Sequence, residues 1–213
     1  MSKLILGTKG QMTTVFTEEG RAHAATVIVA APNTVTQVKT LEKDGYVALQ
    51  VGAVETKPAR VNKAQLGHTK GKPLVHFREL REVKLHAEKL HAEMPEVGST
   101  VDVSAFAVGE KVTVSAISKA KGFAGVVKRH GFHGGPRSHG QKHSEHEPGS
   151  IGGGGRGGGR VIKGMRMAGR MGGEKITSKG LTVVKVLPET GEIFIRGAVP
   201  GRRGTLVEIR DTR

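Results

Sequence analysis

The residues from Lys119 to Gly180 cannot fold around a core of their own. The stretch KAKGFAGVVKRHGFHGGPRSHGQKHSEHEPGSIGGGGRGGGRVIKGMRMAGRMGGEKITSKG holds 19 of the chain's 32 glycines and few large apolar side chains. It also holds 13 Lys and Arg against 3 Asp and Glu, with 5 of the 10 histidines. The remaining 151 residues carry 21 Lys and Arg against 16 acids. Of the net charge of +15, +10 therefore falls in 62 residues. A long segment that cannot bury itself and repels itself needs an anionic partner to order it, and nucleic acid fits that role.

The rest of the chain reads mainly as strands. Ala24–Ala31 (AATVIVAA) is a β-branched run too short for a typical helix. Pro32-Asn33 signals a turn, Thr34–Lys39 alternates, Lys43-Asp44-Gly45 turns again, and Tyr46–Val51 follows. These predict an antiparallel meander of three strands. Residues 56–98 read as a less regular, partly helical insert. Within it, Leu80, Val83, Ala87 and Leu90 are spaced for a helix over Glu79–Glu93. Strand signals return at Thr100–Val103 and Lys111–Ile117. After the basic segment come Leu181–Leu187, a turn at Glu189–Gly191, a hairpin partner at Glu192–Arg196 and a last strand at Thr205–Arg210. The predicted fold is mainly β (α+β). One β-barrel domain uses 1–118 and 181–213, and 119–180 is a long extended insertion.

Enzyme and membrane readings find little support. There are no cysteines, so disulfides, thiol catalysis and cysteine zinc sites are excluded. There is no Trp for an interfacial helix, and no apolar run approaches a membrane span. The N-terminal apolar run after Lys3 is too short for a signal peptide. The Gly71-Lys72 pair is followed by Pro73, with Leu66 where a P-loop needs its first glycine. Gly152, Gly154 and Gly157 satisfy G-x-G-x-x-G only because glycines are dense there. Pro148 occupies the first glycine position of a nucleophile elbow around Ser150. His139 and His143 lie on a glycine-flanked segment, without H-E-x-x-H, and read as solvated or RNA-facing rather than metal-binding. Glu18-Glu19 reads as a solvated turn. No catalytic residue, metal, cofactor or small-molecule substrate is expected.

The cations that would meet phosphate are Lys119, Lys121, Lys128, Arg129, Arg137, Lys142, Arg156, Arg160, Lys163, Arg166, Arg170 and Lys175, with His139 as a further donor. Glycine lets backbone approach RNA closely. Phe123 and Phe132 could stack on bases or pack locally, and Met165, Met167 and Met171 could contact bases or the barrel. The sub-strings do not repeat, unlike a flexible RGG-type arm. A free-standing RNA-binding or chaperone protein with such an arm is the alternative reading. A metal-dependent enzyme built on the histidines is a more distant one.

The strings KGFAGVVKRHGF, EPGSIG and KGMRMAGRMGGEKIT resemble signature stretches of the bacterial-type ribosomal protein L three family, the universal third protein of the large subunit. ILGTKGQMTTVFTEEG, NTVTQVKTLEKDGYVALQVG and IRGAVPGRRG extend the resemblance along nearly the whole chain. It implies a translation-protein-type β-barrel with a long looped extension. It further implies a structural role on 23S-type rRNA near its 3′ end, beside neighbouring large-subunit proteins, in the cytoplasmic ribosome. Early assembly nucleation and a loop directed towards the peptidyl transferase centre belong to the same implication. The loop's innermost part would lie around Gly149–Arg160, with Gly149, Ser150, Ile151, Gly152 and Gly153 at the tip. Many bacterial relatives carry a glutamine, which can be N-methylated, directly after GSIG. Here that position is Gly153, so the modification has no side chain to sit on.

Overall fold

Alternating apolar residues from both ends of the chain close a six-stranded antiparallel barrel in the computed structural model, which describes residues 3–69, 76–84, 95–153 and 157–211. The protein is mainly β. The barrel strands are β1 (Leu4–Phe16), β2 (Ala22–Val29), β7 (Lys111–Ile117), β10 (Lys175–Leu187), β11 (Glu192–Arg196) and β12 (Leu206–Asp211). Their order is β1-β12-β7-β10-β11-β2, with β2 pairing back onto β1. Among the described residues, closure leaves the barrel itself without an edge strand. Inside sit Ile5, Ile28, Val114, Ile193, Ile195 and Ile209, all fully buried.

A second sheet, in the order β5-β4-β3-β6, is built from β3 (Asn33–Lys39), β4 (Ala48–Glu55), β5 (Phe77–Lys84) and β6 (Thr100–Val101). Its Val51, Ala53 and Val83 pack on Leu4 and Leu6 of β1. Ile5, between those two leucines, points into the barrel core instead. Leu4, Ile5 and Leu6 are therefore all buried, the unbroken apolar pattern of a strand covered on both faces. Short helices α1 (Leu41–Asp44) and α2 (Lys63–Thr69) lie in the connections.

The predicted meander holds only in part. β3 and β4 do pair antiparallel, but β2 belongs to the barrel and β3 to the second sheet. The change of sheet occurs at Pro32-Asn33, and Asn33 fixes it. Its fully buried side chain accepts from the Leu6 N–H (2.7 Å) and donates to the carbonyls of Leu6 (3.0 Å) and Ala31 (2.7 Å). The helix expected over Glu79–Glu93 is replaced, as far as Lys84, by β5, which pairs with β4 from Phe77 to Lys84. Cross-strand pairing there overrides the helical spacing at its first two apolar residues, Leu80 and Val83, which pair with Gly52 and Leu49. Residues 85–94 of that expectation lie outside the described residues. β10 begins at Lys175, not Leu181, because Lys175–Thr182 pairs with β7 before Val183–Leu187 pairs with β11.

On the second sheet, the chain's single tyrosine organises a polar network. The Lys39 ammonium donates to the Tyr46 hydroxyl (2.7 Å) and meets Glu82 at 2.8 Å. The Tyr46 hydroxyl donates to the other Glu82 oxygen (3.0 Å). The Lys39 bond is the main reason the Glu82 carboxyl lies below its ordinary value, against the opposing pull of partial burial. The same bond raises Lys39 above the usual lysine range.

Asn33→Ala leaves the Leu6 N–H buried without its acceptor. It should cost about 2–3 kcal/mol in urea unfolding followed by Tyr46 fluorescence; an unchanged midpoint contradicts the role given to Asn33. The depressed Glu82 carboxyl contributes stability that is complete above its ordinary value, about pH 4.5, and is lost as pH falls through the lower folded value. Glu82→Gln should therefore flatten the acid limb of the stability profile and lower stability at neutral pH. An acid limb unchanged by the substitution counts against this network.

Candidate nucleic-acid interface

Contacts divide the chain into two units. One comprises residues up to Ile117 and from Lys175 onward, and the other is Ser118–Glu174. Among its described residues, the second unit contains only two buried hydrophobic residues, Ala124 and Val126. Phe123, Val161 and Ile162 are exposed. Backbone bonding supplies what the missing core does not. β8 (Phe123–Ala124) pairs with β9 (Gly169–Arg170). The ladder continues through Lys121 N–H to Met171 O, Met171 N–H to Gly122 O and Ser118 N–H to Glu174 O, each 2.9 Å. Helix α3 (Val126–His130) follows β8 and ends at Gly131, in the left-handed conformation.

Two glycines permit the close approaches that hold this unit together. At Gly172 (φ 72°), a Cβ would lie 2.2 Å from the Lys119 carbonyl oxygen. At Gly134 (φ 72°), it would lie 2.0 Å from the Glu145 carbonyl oxygen. Beside Gly134, the Gly135 N–H is shared between the carbonyls of Ser144 and Glu145, both at 3.2 Å. This clasp closes the loop from 134 to 145.

Most of the sequence-predicted cations are exposed here: Lys119, Lys121, Lys128, Arg137, Lys142, Arg160, Lys163, Arg166 and Arg170, as is His139. Arg137 is paired with Glu145 at 2.5 Å and still exposes most of its side chain. Arg129 differs. It is half-buried, and its guanidinium donates to the Met167 carbonyl (2.8 Å), where it supports the fold of the unit. Lys175 belongs to β10 in the other unit, and its ammonium is bound by Glu208 (2.8 Å). Gly149, Ser150, Ile151, Gly152 and Gly153 are exposed and lie outside helix and strand. Arg156 lies outside the described residues.

Sequence reasoning did not find the cluster around Phe132. The Arg166 guanidinium lies 5.0 Å from the centroid of the Phe132 ring, and the His130 ring is 5.9 Å from it. His130 Nε2 lies 3.0 Å from the Met167 carbonyl oxygen, an acceptor that requires the proton on Nε2. An open cavity of about 540 Å³ is lined by these side chains together with His133, Ser144 and Glu147. Phe132 and Arg166 are far apart in sequence, so no local pattern could signal their contact. Among the described residues, no group of three or more His, Asp or Glu is placed to hold a metal ion. Likewise, no described helix is long and apolar enough to cross a membrane.

A family model described as Ribosomal protein L3 matches residues 84–193. The large ribosomal subunit protein uL3 of Carboxydothermus hydrogenoformans is 47% identical over 211 residues, spanning 99% of this chain and 98% of that protein. The proteins of the same name from Herpetosiphon aurantiacus and Streptomyces coelicolor are each 47% identical. Those matches cover 96% and 98% of this chain and 94% and 95% of the respective relatives. The chain belongs to the ribosomal protein L3 family, a family of ribosomal proteins and not of enzymes.

Gly172→Ala forces both a clash and a strained φ at the base of the basic unit. Amide exchange at Lys121 and Met171 should accelerate by about tenfold or more, while amides of the barrel core keep their protection. Unchanged exchange at those two amides would show that the ladder does not depend on Gly172.

Proposed function

We propose that this protein is a structural constituent of the large ribosomal subunit, held on 23S-type rRNA near its 3′ end by its basic segment. In this reading it acts in the cytoplasm, inside the ribosome, beside other large-subunit proteins. It joins early, nucleates assembly, and directs residues 119–180 towards the peptidyl transferase centre with Gly149–Gly153 at the tip. It uses no cofactor, metal or small-molecule substrate.

The observation that carries this reading is the surface of the unit Ser118–Glu174, where exposed cations accompany only two buried hydrophobic residues among those described. Lys128, Lys142, Arg160 and Lys163 present their charges to solvent. Each cation that reaches a phosphate displaces condensed counterion, which supplies affinity without reading sequence. The order of the segment supplies the rest. Its ladder, its glycine clasp and its Phe132 cluster give the cations defined positions, and this supports a specific path over loose coating. The names of the relatives support the same assignment, since each is a large ribosomal subunit protein.

Binding of the full chain to a transcript of the 3′ region of 23S-type rRNA tests the reading. Affinity should fall steeply with salt. Changing Lys128, Lys142 and Lys163 together to Gln should reduce the slope of log affinity against log salt by about 2–3. A variant with residues 119–173 shuffled should lose its preference for this transcript over unrelated RNA. Equal preference after shuffling would favour a free-standing RNA-binding protein with a flexible basic arm.

A further inference from the structure

The cavity beside Phe132 differs chemically from the surface around it. Most of the unit's charged residues are cationic, yet a carboxylate, Glu147, lines this cavity together with Arg166, His130, His133 and the Phe132 ring. Glu145, two residues earlier, is taken by Arg137. Glu147 is exposed, and among the described residues it carries no ion pair. A phosphate would be drawn by Arg166 and repelled by Glu147. A nucleobase suits both groups, because its edge can donate to a carboxylate while its face lies on an aromatic ring or guanidinium plane.

The walls are fixed by bonds within the unit. The Gly135 clasp onto Ser144 and Glu145 holds one side. Arg129 and His130, both anchored on the Met167 carbonyl, hold the other. The Arg166 guanidinium already lies over the Phe132 ring at 5.0 Å, so an aromatic and a cationic group share this wall without a ligand. The volume, about 540 Å³, exceeds that of a single base and leaves room for its sugar.

We infer that this cavity receives one unstacked guanine of the bound RNA, with Glu147 accepting from its Watson–Crick edge and the Phe132–Arg166 pair stacking on its face. Guanine presents two adjacent donors, N1–H and N2–H, to the two carboxylate oxygens. Adenine and cytosine place a ring-nitrogen acceptor beside their amino group, which a carboxylate repels. Uracil offers one N–H between two carbonyls. The inference rests on the rRNA reading above and adds a base-specific contact to it.

The test uses large subunits assembled with the full-length protein, and kethoxal, which modifies the N1 and N2 positions of unpaired guanine. Subunits carrying the wild-type protein should protect one guanine close to the site crosslinked from position 132. Glu147→Gln should raise the reactivity of that guanine about tenfold, the scale of a lost bidentate base contact, while the protein still co-sediments with the subunit. Phe132→Leu should expose the same guanine, and Phe132→Tyr should keep it protected. Co-sedimentation with no guanine responding to Glu147→Gln would overturn the inference and leave the rRNA reading intact. Failure of the wild-type protein to enter subunits would overturn both.

Discussion

Apolar burial is unevenly shared in this protein, and most of its properties depend on that division. Barrel and second sheet take nearly all of the large buried side chains, including Ile5, Ile28, Ile193, Ile195 and Ile209. The unit Ser118–Glu174 contributes Ala124 and Val126. Burial of apolar surface stabilises at about 25 cal/mol per Å², so two small buried side chains offset little of the conformational entropy of such a segment. Its order must come from backbone bonding, glycine-permitted close approaches and, in the reading advanced here, a polyanion that neutralises its charge.

Barrel closure makes the arrangement workable. β7 and β10 are adjacent strands, and Ile117 pairs directly with Lys175. Both ends of the basic segment are thereby brought together by a rigid sheet, which already meets the entropy of closing the loop. Lys175 illustrates the division of labour. It counts among the cations of the segment by sequence, but its ammonium meets the nearly buried carboxylate of Glu208, which Arg81 and Arg210 also approach. A buried carboxylate left with fewer partners would be costly, so this lysine serves the fold.

The legible parts of the sequence were those with local causes. Val112 and Val114 alternate on β7, Glu189–Gly191 turns the β10–β11 hairpin, and the glycine and charge density marks the coreless segment. Three features were hidden because their causes are tertiary. β1 carries glycines and polar residues over much of its length, and its pairing with both β2 and β12 makes it a strand. β5 was masked by a helical spacing that pairing with β4 overrules. The sheet change at Asn33 depends on a partner, Leu6, 27 residues away. In the basic unit, charge was readable one residue at a time. The distinction between exposed Lys128 and Arg129, turned onto Met167, was not, and neither was the Phe132–Arg166 contact.

In the proposed function, the segment lies against large-subunit rRNA. Photo-crosslinkers placed singly at Lys128, Lys142, Arg160 and Lys163 in cells would test it most directly. Adducts to large-subunit rRNA are expected from each position, clustered in few sites per position. Adducts spread over unrelated RNAs, or confined to protein, would contradict it.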